Sequence, residues 1–170
     1  MSKFWLLPIF LLLAIAAVSE AACPDGWSTF YRSKGIYCMK FVNDHLITPV
    51  DAMKKCRAEG APYLASFENE GEFKFAAQHF NGQFWIGGSR RPACIKSPLP
   101  AGCNKDNAFI YDDNFVSGRG YWNWYALMPD FSNAQSIYVY GQAKSYIMGN
   151  WVNGILFPTG YVCGKIDRYY

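Results

Sequence analysis

The chain has 170 residues, of which 51% are hydrophobic, 18% aromatic and 17% charged, and a net charge of +3. That balance excludes a disordered polymer and supplies no bulk positive charge of the kind that holds nucleic acid. The length suits one domain of ordinary size.

At the N-terminus Lys3 precedes an apolar run from Phe4 to Val18, which is followed by Ser19, Ala21 and Ala22. A run of about fifteen residues falls short of the roughly twenty that a membrane-spanning helix needs. The order charged, apolar, small is that of a secretory signal peptide. The expected division is a signal peptide over 1–21 and one secreted, extracellular domain over 22–170, with no membrane span.

The hairpin signal comes first in the mature chain: Trp27 to Phe41 alternates aromatic and polar residues around Gly35. The first helix is predicted to start at Thr48 as N-cap, with Pro49 at the first helical position and Asp51 two residues on, and to stop at Gly60 and Pro62. After a short apolar piece, Tyr63 to Ala65, a second start is read at Asn69 with Glu72. Phe73, Ala76, Ala77 and Phe80 then recur at the spacing of an amphipathic helix. From Gln83 on, short aromatic and β-branched runs predict strands at Phe84–Ile86, Ala108–Tyr111, Tyr121–Trp124, Ile137–Tyr140, Tyr146–Val152 and Tyr161–Ile166. Two helices followed by many strands indicate an α+β domain whose first and last strands meet.

The six cysteines, Cys23, Cys38, Cys56, Cys94, Cys103 and Cys163, read as three disulfides in an oxidising compartment, with fifteen pairings open to them. Spacing selects Cys23 with Cys38 across the hairpin and Cys94 with Cys103 around a Pro/Gly-rich turn, leaving Cys56 with Cys163 to tie the ends of the domain together. The absence of Cys-x-x-Cys spacing and the presence of only two histidines, His45 and His79, argue against zinc. Neither histidine has a nucleophile motif nearby, so no enzyme is expected.

Cys23-Pro24-x-x-Trp27, Gly35-x-x-Cys38, Ala52-x-x-x-Cys56, Leu64-Ala65-Ser66, Trp85-Ile86-Gly87-Gly88, Trp122 to Trp124, Pro129-Asp130, Gly149-Asn150-Trp151 and Tyr161-Val162-Cys163-Gly164-Lys165 stand in one order along the chain. In that order they resemble a C-type lectin-like domain, and the Cys94 to Cys103 insertion resembles the small secreted members found in nematodes. The resemblance implies a double-loop α+β fold, two helices flanking an antiparallel sheet, with a long irregular loop holding the ligand site. It also implies carbohydrate binding as the usual activity and innate immune defence as a setting. The family's second disulfide would fall near Ile137 and at Leu156, where an apolar contact could replace it.

In sugar-binding members a calcium ion in the long loop coordinates sugar hydroxyls. Here the matching motifs read Met128-Pro129-Asp130 and Trp151-Val152-Asn153, and no Asp or Glu occurs between Asp130 and Asp167. Calcium relies on six to eight oxygens, several of them carboxylates, so no cofactor is expected. Asp106, Asp112 and Asp113 read as a solvated turn with Asn114 rather than a second metal site.

The remaining candidates for ligand contact are Asp130, Asn133, Gln135, Asn150 and Asn153, whose donors and acceptors suit hydroxyls, and the rings of Tyr125 and Tyr146. Phe131 is a further ring in the same stretch, while Trp124 and Trp151 are expected to be buried. Lys54, Lys55 and Arg57 read as a solvated helix face. Arg90 and Arg91 could grip a sulfate or a sialic carboxylate, against an ordinary role in loop solubility. The expected function is recognition of a carbohydrate or glycosylated surface without the usual calcium bridge. The alternative is a module for an extracellular protein on the same scaffold, with no sugar.

Overall fold

The computed structural model describes residues 23–95, 99–131, 138–150 and 158–169. The signal peptide expected over 1–21 lies outside them, as do Asn133, Gln135, Asn153, Trp151 and the Ile137 to Leu156 contact. The predicted hairpin is formed by β1 (Ser28–Arg32) and β2 (Gly35–Asn43), paired antiparallel. Its turn depends on Gly35, which sits at φ 139°, where a Cβ would also collide with the Arg168 carbonyl.

Helix α1 (Pro49–Ala58) starts where Thr48 predicts it: the Thr48 hydroxyl accepts from the Asp51 N–H at 3.1 Å and Pro49 opens the first turn. Strand β3 (Tyr63–Leu64) follows. In α2 (Glu70–Ala77) Asn69 caps by accepting from the Glu72 N–H at 3.0 Å. The Glu72 carboxylate reaches past the cap and accepts from the Glu68 N–H at 2.8 Å.

Strands β4 (Gln83–Arg90), β5 (Phe109–Tyr111), β6 (Tyr138–Gln142), β7 (Ile147–Asn150) and β8 (Pro158–Tyr169) complete one sheet of order β1-β2-β8-β4-β6-β7, with β3 on β8 and β5 on β4. The first and last strands of the domain do meet, along the β2–β8 ladder. The sheet is not wholly antiparallel as expected, because β4 and β8 pair in parallel.

Period-two alternation divides the core between the two faces of this sheet. Phe84, Ile86 and Val162 pack with Phe73, Ala76 and Ala77 of α2, whereas Trp85, Tyr161 and Cys163 pack with Ala52 and Cys56 of α1. The helices therefore flank the sheet. All three disulfides are those expected, with Cα–Cα distances of 5.6 Å for Cys23–Cys38, 5.3 Å for Cys56–Cys163 and 5.8 Å for Cys94–Cys103.

One expected strand is absent. Tyr121–Trp124 makes only an isolated bridge, Trp124 to Met148. Its main chain is claimed elsewhere: the Tyr121 N–H donates to the Phe67 carbonyl at 2.8 Å, and the Asn123 carbonyl accepts from the Met148 N–H at 2.7 Å.

Candidate functional site

The long loop between β5 and β6 is held at its root by buried polar groups. Arg32, 4% exposed at the end of β1, gives two guanidinium bonds to Glu72 (3.0 and 2.7 Å), one to the Ser66 hydroxyl (3.0 Å) and one to the Ser66 carbonyl (2.8 Å). The Ser66 hydroxyl donates to Asp113 at 2.6 Å, the Tyr37 hydroxyl donates to the same oxygen at 2.5 Å, and Asp113 also accepts from the Phe115 N–H. The guanidinium lies 3.7 Å from the centre of the Tyr37 ring. Burial, with the Asp113 carboxylate beside it, holds the Tyr37 hydroxyl well above its usual pKa. Arg32 and Glu72 pair with each other, and the Asp113 carboxylate is satisfied by hydrogen bonds from two hydroxyls and a main-chain N–H, as buried charges require.

Asp113 thus corrects the expectation of a solvated turn. It is buried, with its oxygens committed to β2, to Ser66 and to its own loop. Asp112 accepts from the Ser89 hydroxyl, and its carboxyl is raised by burial. Among the described residues no three His, Cys, Asp or Glu side chains group as metal ligands.

Above this root, Tyr111, Trp122 and Trp124 form a ring stack, with centroids 4.2 and 5.2 Å apart and interplanar angles of 16° and 10°. Gly88 makes room for it: a Cβ there would come within 2.7 Å of the Trp122 ring. Both faces of Trp122 are consumed by its neighbours, and Trp124 also touches Phe109 at 5.0 Å. Trp124 is half-buried rather than buried, because it packs along the side of the sheet.

Tyr125 is different. Its N–H donates to the Met148 carbonyl at 2.9 Å, which fixes its main chain to β7, while the side chain is 54% exposed. No ring of the described residues stacks on it. Clefts open on either side. One, of about 410 Å³, is lined by Tyr125, Tyr140, Gln142, Ser145 and Met148. The other, of about 360 Å³, is lined by Tyr125, Asn123, Lys105, Asp106 and the edges of Trp122 and Trp124. Leu127 beside it is 85% exposed.

Among the remaining sequence candidates, Asp130 and Asn150 are brought together, but main chain to side chain. The Asp130 N–H donates to the Asn150 amide oxygen at 2.7 Å, and the Asn150 amide nitrogen donates back to the Asp130 carbonyl at 2.7 Å. Asn150 is 1% exposed. It stitches the loop to β7, with both ends of its amide engaged, and does not present that amide to a ligand. Tyr146, at φ 52°, turns its ring toward α2, with the Lys74 ammonium 5.8 Å from the ring centre. It does not line the clefts beside Tyr125.

Arg90 was a candidate for gripping an anion, yet it is 1% exposed at the end of β4. Its guanidinium carbon lies 5.1 Å from the Phe131 ring centre, and the Asp130 carboxylate opposes the loss of basicity that burial imposes on it. A buried cation next to the one carboxylate of the matching motifs repels a dication there. Among the described residues no group of His, Cys, Asp or Glu that could hold a metal ion includes Asp130. Arg91, by contrast, is exposed and donates to the Asn107 carbonyl at 3.1 Å.

Sequence reasoning missed Arg32, Tyr37, Ser66 and Glu72 as an anchor, and Tyr140, Gln142 and Ser145 as cleft walls. A buried arginine in an alternating hairpin leaves no local signal. Gln142 ends β6 and Ser145 lies in the turn to β7, as ordinary polar residues of a turn do.

Comparison with known proteins decides the family. Residues 28–142 match the family of C-type lectin domain-containing proteins 141/158. The chain belongs to that family. It is 36% identical over 77 residues to C-type lectin domain-containing protein 158 of Caenorhabditis elegans, a match that covers 41% of this chain and 36% of that relative. The aligned stretch thus spans about a third of the relative's length. Among solved structures the fold is similar to the cow C-type carbohydrate-recognition domain of CD23, determined in the presence of a GlcNAc2Man3 oligosaccharide (TM-score 0.62, 20% identity, 86% of this chain and 98% of that one). It is also similar to a calcium-independent type II antifreeze protein (TM-score 0.60, 19% identity, 85% and 95%). The C-type lectin-like scaffold is therefore established, and it serves uses besides sugar binding. No helix among the described residues is long and apolar enough to cross a membrane.

Proposed function

We propose that this chain is a secreted recognition domain of C-type lectin type that binds a carbohydrate or a glycosylated surface through Tyr125, without a calcium bridge, in innate defence. The observation that supports this reading is an aromatic face left bare between two clefts that offer hydroxyl, amide and charged groups. A flat ring flanked by such groups suits the apolar face and hydroxyl edge of a pyranose. The charge next to Asp130 is already supplied by Arg90, so loop order does not wait on a metal. Recognition in this reading is binding, with no catalytic step.

A second reading, a protein-binding module, draws on Tyr125 as a ring of the type enriched at interface hot spots, with the exposed Leu127 beside it extending the apolar surface. A glycan panel probed with calcium and again with chelator, using the native chain and Tyr125→Ala, separates the two. Chelator-resistant binding that Tyr125→Ala abolishes is the expected result. Calcium-dependent binding overturns the metal-free reading, and silence across a broad panel favours the protein-binding module.

A further inference from the structure

We infer that the cleft between Arg91 and Arg119, at the edge of the ring stack, is an anion subsite that takes a sulfate or carboxylate of an acidic sugar chain; this rests on the reading of the domain as a glycan binder. The cleft, about 230 Å³, has Phe109, Ile110 and Val116 as apolar walls and Arg91, Asn107 and Arg119 as polar ones. Each arginine is held by its own loop. Arg91 spends one N–H on the Asn107 carbonyl, which leaves the rest of its five-donor fork for an anion. Arg119 has its carbonyl fixed by the Trp122 indole N–H at 2.8 Å, in a turn closed by the Gly120 N–H on the Ser117 carbonyl.

A third cation stands at the border. The Lys34 ammonium donates to the carbonyls of Asn114 (3.2 Å) and Val116 (2.7 Å), two residues that line the same cleft. Arg119 also borders an adjoining cleft of about 270 Å³, where Lys105 and Asp106 face the edges of Trp122 and Trp124. Four lysines elsewhere on the surface are paired with carboxylates: Lys40 with Glu59, Lys54 with Asp51, Lys55 with Asp44 and Lys74 with Glu70. Among the described residues none of Lys34, Arg91, Lys105 and Arg119 has a carboxylate within 4.0 Å. Asp106 is the one carboxylate on the walls of either cleft.

Like charges gathered over apolar walls raise the local potential, and an anion with several oxygens relieves it. A planar guanidinium pair matches the oxygens of sulfate or carboxylate better than ammonium groups do. The second cleft leads past Trp122 and Trp124 to Tyr125, so one sugar chain can place an acidic group at Arg91 and Arg119 and a neutral ring further along.

The test measures affinity for three octasaccharides: a heparin-derived one, its desulfated N-acetylated counterpart, and a sulfate-free one of alternating glucuronate and N-acetylglucosamine. The variants are Arg91→Gln/Arg119→Gln and, as a control of equal charge loss on α1, Lys54→Gln/Arg57→Gln, each checked for an unchanged melting temperature. The expected result is binding of the sulfated chain that falls at least tenfold in the cleft variant and less than twofold in the α1 control; Arg119→Lys, which keeps the charge but not the fork, should lie between. Binding of the sulfate-free uronate chain with the same variant pattern assigns the subsite to carboxylate, and its absence assigns it to sulfate. Equal losses in both double variants, or equal competition by single-stranded DNA, would reduce the effect to adherence of polyanions and overturn the subsite. Failure of the native chain to bind any acidic chain also overturns it, yet leaves neutral-glycan binding through Tyr125 to stand or fall on the glycan panel.

Discussion

The side chain of Asn150 holds the main chain of Asp130 at both its N–H and its carbonyl, each at 2.7 Å. An asparagine engaged in this way does for the loop what a bound ion does for a metal-dependent one: it fixes a chain turn by several directional contacts. With Arg90 placed against the same turn, the loop has an internal cation as well.

Calcium should therefore leave stability unchanged. A ligand present at a hundred times its dissociation constant adds about 2.7 kcal/mol to folding. Melting curves in millimolar calcium and in chelator are expected to superimpose. A separation of several degrees would reveal a calcium site.

Trp124 and Tyr125 are neighbours with opposite tasks. Trp124→Ala deletes a ring packed against Trp122 and Phe109 and is expected to cost about 3 kcal/mol, the low end for a large aromatic truncated in a packed site. Tyr125→Ala removes an exposed ring and is expected to stay within about 0.5 kcal/mol of the native chain while abolishing ligand binding. Urea denaturation of both variants, alongside binding, checks the contrast.

The Arg32 cluster should be intolerant of a missing partner. Arg32→Met leaves Glu72 charged and buried and the Ser66 oxygens short of donors, at an expected cost of about 3–5 kcal/mol. Glu72→Gln, which keeps the shape and part of the bonding, should cost less. If Arg32→Met unfolds at the same urea concentration as the native chain, the cluster does not anchor the loop.

Alkali should unfold the domain through its tyrosines. Burial holds the Tyr37 and Tyr111 hydroxyls well above the ordinary value near 10, so the folded chain keeps protons that the unfolded chain releases. The share of stability that depends on these two tyrosines is then constant below about pH 10 and declines above it, since the unfolded state binds fewer protons there. Phenolate absorbance from Tyr37 and Tyr111 should appear only as the circular dichroism of the fold is lost. Ionisation of Tyr37 and Tyr111 with the fold intact would contradict this.

The frame was legible where physics is local. Thr48 with Pro49, and Asn69 with Glu72, mark helix starts because capping is decided within one turn. The cysteine pairs followed from spacing, and the alternation from Trp27 to Phe41 became the hairpin. The parallel β4–β8 pairing was not legible, because it joins residues some 75 positions apart, nor was the loss of a strand at Tyr121–Trp124. There the aromatic residues that favour a strand stack on one another instead, and the main chain bonds to Phe67 and Met148. At the site, the exposure of Tyr125 and the turning of Tyr146 toward α2 depend on which ring already has a neighbour, and Arg90 and Arg32 look like ordinary surface arginines until the chain is folded around them. Asn133, Gln135 and Asn153 lie outside the described residues.

Strand β8 runs between β2 and β4, and Cys163 within it is bonded covalently to α1. Tension applied at the C-terminal end of the domain would load the strand secured on both edges and by a cross-link, in shear along the β2–β8 ladder. The turn that bears Tyr125 lies off that line of force. A pull at Tyr169 is thus borne by the ladders on either side of β8 and by the cross-link to α1 rather than by the turn that bears Tyr125.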